Sequence, residues 1–85
     1  MLKGNKAVVT GASRGIGLAI AKELSEKGCS VVISGRNMKT LQQALKQLKG
    51  NVYPLVWDVS QIDSANEKIN EAAELMGGLD IVVNN

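Results

Sequence analysis

Three glycines, Gly11, Gly15 and Gly17, punctuate the run Thr10-Gly11-Ala12-Ser13-Arg14-Gly15-Ile16-Gly17, and the chemistry such a run can do is anion binding. The first backbone N–H groups of a helix lack internal partners, and the macrodipole favours negative charge there. A phosphate is therefore held at a helix start when backbone can approach it closely. Gly11 permits a tight turn off a strand, Gly15 leaves no Cβ to obstruct a diphosphate, and Gly17 lets the helix lie close on a sheet. Ser13 adds a hydroxyl that can donate to phosphate. The spacing Gly-x-x-x-Gly-x-Gly departs from Gly-x-Gly-x-x-Gly, and a tight strand-to-helix connection without a ligand uses the same residue types.

Charged residues refine the reading. In dinucleotide-binding folds an acidic residue about 20 positions past the glycines binds the ribose 2′-hydroxyl of NAD, whereas an Arg accommodates the 2′-phosphate of NADP. Here the second apolar run ends Ser34-Gly35-Arg36, and Arg14 can aim a second guanidinium at the same phosphate. Each Arg taken singly also reads as a solvated surface cation. Two of them flanking the adenosine ribose, with no Asp or Glu at the end of the second strand, point to NADP(H). Asp58-Val59 follows the third apolar run, at the carboxyl edge where open α/β sheets bind ligands. Asp58 equally suits the cap of a following helix, a role for which Ser60 is also available.

The elements that would position these residues follow from periodicity. Lys6 to Thr10 is a short, β-branched, apolar run suited to a buried parallel strand, and Ile16, Ile20 and Leu24 then recur at helical spacing up to Gly28. Ser30 to Gly35 reads as a second strand. Asn37 offers an N-cap to a helix whose buried stripe is Leu41, Leu45 and Leu48 and which Gly50 stops. Val52 to Trp57 is a third strand, and Pro54, lacking an N–H, places it at a sheet edge. Ser60 with Asp63 resembles a capping pair for a third helix, with Ile62, Ala65, Ile69, Ala72, Ala73 and Met76 on its apolar face before Gly77-Gly78. Asp80 to Val83 is a fourth strand. The order β-α-β-α-β-α-β with right-handed crossovers predicts an α/β fold, a Rossmann-type doubly wound parallel sheet of strand order 3-2-1-4.

Composition bounds the function classes. The 85 residues are 45% hydrophobic and 21% charged, as in an ordinary globular chain, and form one domain. No run reaches the ~18 apolar residues of a membrane span, and the N-terminus has neither signal-peptide nor transit-peptide character, so a cytoplasmic protein is expected. The net charge of +2 comes from scattered residues, and Tyr53 and Trp57 are the two aromatics. Neither a basic stripe nor a stacking platform for nucleic acid is evident. The single cysteine, Cys29, allows no internal disulfide and reads as a small buried hydrophobe. Histidine, the commonest general base and metal ligand, is absent, and no metal site is expected.

The run Thr10-Gly11-Ala12-Ser13-Arg14-Gly15-Ile16-Gly17 resembles the cofactor fingerprint of the classical short-chain dehydrogenase/reductases. Asp58-Val59 resembles that family's adenine-holding pair, and Asp80-Ile81-Val82-Val83-Asn84-Asn85 resembles its fourth strand leading into Asn-Asn-Ala-Gly. The resemblance implies a cofactor-binding set of Gly11, Ser13, Arg14, Gly15, Ile16 and Gly17 on the loop. Beyond the loop it implies Arg36, Asn37, Asp58 and Val59, with Asn85 beside the cofactor ribose. Together with the two arginines it implies NADP(H)-dependent hydride transfer between nicotinamide and a carbonyl or alcohol carbon of a small molecule, and by itself a homo-oligomer at full length.

The resemblance covers the whole chain but about the N-terminal third of a family member. The family's catalytic Ser, Tyr-x-x-x-Lys pair and further Asn have no counterpart here. Tyr53 cannot stand in for that Tyr, because Trp57 occupies the lysine position. Residues 1–85 therefore read as the nucleotide-binding portion of a larger domain, truncated after strand four and inactive alone. A non-catalytic NADP-binding module, or half of a split protein, is the alternative.

Overall fold

The computed structural model describes residues 4–58 and 65–85. Its elements run β1 (Lys6–Val9), α1 (Gly15–Glu26), β2 (Ser30–Gly35), α2 (Met38–Leu45), β3 (Val52–Val56), α3 (Ala65–Met76) and β4 (Ile81–Val83). The four strands form one sheet in the order β3-β2-β1-β4, and all three pairings are parallel. Val59 and the Ser60/Asp63 capping pair, with Ile62, lie outside the described residues.

A strand buried on both faces is apolar at every position rather than at alternate ones, and β2 shows it: Val31, Val32 and Ile33 are all fully buried. Successive side chains point to opposite faces and feed two cores. On one face Val9, Val31 and Ile33 pack with Ala21 of α1 and with Leu41 and Ala44 of α2. On the other, Val8, Val32 and Leu55 pack with Ala72 and Met76 of α3. The sheet thus has helices on both sides. Cys29 is buried in the first core, as its neighbours in sequence suggest.

Helix ends carry the signals expected of them. Asn37 caps α2, its side chain accepting from the Lys39 N–H at 2.7 Å. At the other end of α1, Gly28 N–H reaches Ser25 C=O and Cys29 N–H reaches Leu24 C=O, both at 3.1 Å, the two bonds of a Schellman motif. Pro54 lies on β3, at an edge of the sheet with β2 on its inner side, where a missing N–H does no harm.

Two expectations are corrected. Ile16 is not on the buried stripe of α1: it is 73% exposed, and the residues turned to the sheet are Gly17, Ala21 and Ser25. Their small size lets the helix lie close, and Ile16, one residue earlier, is about 100° round the helix at 3.6 residues per turn. Leu48 lies beyond α2, which ends at Leu45. The chain there tightens into i→i−3 bonds, Gln47 to Ala44 and Leu48 to Leu45, and Leu48 still packs on the core from this turn.

Candidate functional site

Gly11 and Gly15 both have positive φ, +62° and +65°, a region that a side chain makes costly. The loop between them is tied down at its start, where Ala12 N–H donates to Ser34 C=O at 3.0 Å. The first helical bond of α1 runs from Leu18 N–H to Arg14 C=O at 3.4 Å, so the N–H groups of Gly15, Ile16 and Gly17 precede any partner within the helix. Open space surrounds the position a Gly15 Cβ would take. Gly17 is the opposite case: a Cβ there would lie 2.5 Å from Gly11 O and 2.7 Å from Asn85 Nδ2. One glycine leaves the helix mouth clear, and the other lets the helix seat against the loop.

The end of β4 completes this seat. Thr10 is 2% exposed; its N–H and its Oγ1 both donate to Val83 C=O, at 3.0 and 3.3 Å. Its Oγ1 also accepts from the Asn85 N–H at 3.1 Å. The Asn85 side chain in turn donates to Gly11 C=O at 3.2 Å. Asn85 therefore braces the glycine loop directly, a contact that the sequence placed only as neighbourhood to a ribose.

Two cavities open at this end of the sheet. One, of about 380 Å³, is lined by Gly11, Ser13, Arg14, Gly35, Arg36, Trp57 and Asp58. The other, of about 440 Å³, is lined by Ser13, Arg14, Arg36, Asn37, Thr40, Gln43, Ala44 and Gln47. Ser13 and both arginines belong to each, so the guanidinium groups stand at the junction. Both arginines are exposed, and among the described residues neither is paired with a carboxylate. A third cavity, of about 500 Å³, is bounded by Pro54, Leu55, Glu71, Glu74 and Leu75 and shares no residue with these two.

Of the sequence-predicted site residues, the structure brings Gly11, Ser13, Arg14, Arg36, Asn37 and Asp58 to the cavities, with Gly15, Ile16 and Gly17 at the adjoining helix mouth and Asn85 behind the loop. Sequence reasoning missed Thr10, Gly35, Trp57, Thr40, Gln43 and Gln47. Gly35 and Trp57 had a signal, since both end apolar strands at the carboxyl edge of the sheet. Thr40 and Gln43 had another, the spacing of one face of α2, and Gln47 follows from the turn beyond that helix.

These features fit a dinucleotide: an open helix mouth, a close backbone approach that a Cβ at Gly17 would block, and cations beside a cavity of ligand size. No group of three or more His, Cys, Asp or Glu able to hold a metal occurs among the described residues. Nor, among them, is any helix long and apolar enough to cross a membrane.

Comparison with known proteins identifies the family and the fold. The family model for short chain dehydrogenase matches residues 5–85. The 3alpha-hydroxysteroid dehydrogenase of Mediterraneibacter gnavus is 40% identical over 93 residues, covering 100% of this chain and 36% of that protein. A short chain dehydrogenase from Mycobacterium smegmatis superposes with a TM-score of 0.92 at 35% identity, over 99% of this chain and 37% of that one. A variant of the actinorhodin polyketide ketoreductase, solved with NADPH, gives 0.89 at 31% identity, over 100% and 34%. The chain thus spans about a third of the length of these relatives. A parallel 3-2-1-4 sheet, a glycine loop braced from the fourth strand and a family match over nearly every residue lead to one conclusion: the chain belongs to the short-chain dehydrogenase family.

Proposed function

We propose that this chain is the nucleotide-binding part of an NADP(H)-dependent short-chain oxidoreductase. The observation that carries the cofactor choice is the position of Arg14 and Arg36, shared by the two cavities with no carboxylate at the end of β2. A ribose in the first cavity would direct its 2′-substituent to that junction. Two guanidinium forks favour a phosphate there over a hydroxyl, because a phosphate offers each fork a full opposite charge and two oxygens at once, and a hydroxyl offers neither.

Each residue has a positioning task. The N–H groups of Gly15, Ile16 and Gly17 hold the diphosphate, and Ser13 donates to it. Asp58, with Val59, accepts the adenine, while Asn37 and Thr40 edge the phosphate side of the junction. When bound, the nicotinamide supplies the hydride chemistry, to a carbonyl carbon or from an alcohol carbon of a small molecule. The residues here orient it and contribute no proton donor, so the 85-residue stretch on its own is expected to bind weakly and catalyse nothing. Cytoplasmic residence and self-association at full length belong to the same reading.

The test is a pair of titrations on the full-length protein. Wild type should bind NADPH at least 10-fold more tightly than NADH, and Arg36→Asp should erase that preference by placing a carboxylate against the phosphate. Equal ratios in the two proteins would overturn the assignment.

A further inference from the structure

Trp57 is 7% exposed and lines the 380 Å³ cavity beside Gly35, Arg36 and Asp58, yet its indole Nε1–H has no hydrogen-bond partner among the described residues. Native structures seldom leave a buried donor unpaired, because desolvation is then uncompensated. Among the described residues Trp57 is in neither of the two apolar clusters on either side of the sheet, and a phenylalanine would supply buried apolar bulk without the orphan group. Its backbone is fixed by a 2.8 Å bond from its N–H to Gly35 C=O, which sets the residue at the carboxyl ends of β2 and β3.

We propose that Trp57 is a purine-reading residue, whose indole N–H donates to a ring nitrogen of the adenine held in this cavity. The inference rests on the adenosine reading of the site and adds a donor to it. Adenine offers ring-nitrogen acceptors on its edge, the complement of a lone N–H. Because the nitrogen is shielded in this structure, donation to the purine requires the ring to turn about its Cβ–Cγ bond as the purine enters, so that binding changes the environment of the indole itself.

The experiment uses the full-length protein with ¹⁵N-labelled tryptophan, adenosine 2′,5′-bisphosphate as probe and nicotinamide mononucleotide, which has no purine, as control. The indole peak of Trp57, identified by its loss in Trp57→Phe, should move downfield with the bisphosphate and stay in place with the mononucleotide. Trp57→Phe should weaken bisphosphate binding about 3- to 10-fold, the worth of one hydrogen bond. If wild type binds the bisphosphate while the peak stays, or while the variant binds equally well, the Trp57 proposal is overturned and the pocket stands. If wild type binds none of the bisphosphate, NADPH and NADH, the adenosine reading falls and this proposal with it. Should the variant not fold, the wild-type peak decides alone, identified by replacing any other tryptophans of the full-length chain.

Discussion

Gly17 carries two demands on one atom, since a methyl group there would meet Gly11 O and Asn85 Nδ2 together. Backbone cannot yield as a flexible side chain does, so Gly17→Ala should cost about 1–3 kcal/mol of stability, read by urea denaturation, and abolish measurable NADPH binding. Asn37 separates two roles more gently. Its Oδ1 caps α2 while the residue lines the 440 Å³ cavity beside Arg14 and Arg36. Asn37→Asp preserves the cap but adds a negative charge. Melting temperature should hold or rise while NADPH affinity falls several-fold and NADH affinity changes little; parallel changes in both affinities would contradict the placement. Single residues were legible in the sequence where one type has one use, as with Gly11, Gly17 and the N-cap of Asn37. The brace from Asn85 to Gly11 was not, because it joins residues 74 apart and no local pattern reports such a contact.

At the scale of elements, β1 and β4 are joined at both ends by side chains. Near the glycine loop, Thr10 Oγ1 bridges Val83 and Asn85. At the opposite end Asp80 N–H donates to Lys6 C=O at 2.7 Å, while the Lys6 N–H donates to Asp80 Oδ2 at 2.9 Å. This reciprocal pair sets the register of a strand only three residues long. Asp80→Ala should destabilise by about 1 kcal/mol, and Asp80→Asn, which keeps an acceptor oxygen, by less. Equal losses in the two variants, by chemical denaturation, would show that the hydrogen bond is not the cause. Strands and helix order were readable because buried parallel strands are continuous apolar runs and the glycines fall between elements. The facing of α1 was misread because apolarity marked Ile16, whereas close packing was achieved by Gly17, Ala21 and Ser25. Size complementarity between helix and sheet is a tertiary property.

Across the whole molecule, the sheet gathers the carboxyl ends of β1, β2 and β3 at one edge, so residues from three separate stretches, within 11–14, 35–36 and 57–58, line one cavity. That convergence was legible as soon as the parallel strand order was, since ligands of doubly wound sheets bind outside the carboxyl ends of the strands. β4 occupies an edge, with Val82 45% exposed, and the family relatives run about three times as long as this chain. Under the proposed reading, what this fold supplies is cofactor placement. A crystal structure of the full-length protein with NADPH decides that placement. The diphosphate should lie within hydrogen-bond reach of the Gly15, Ile16 and Gly17 amides, with the 2′-phosphate between Arg14 and Arg36. A 2′-phosphate distant from both guanidinium groups, or a helix mouth filled by protein side chains, would contradict it.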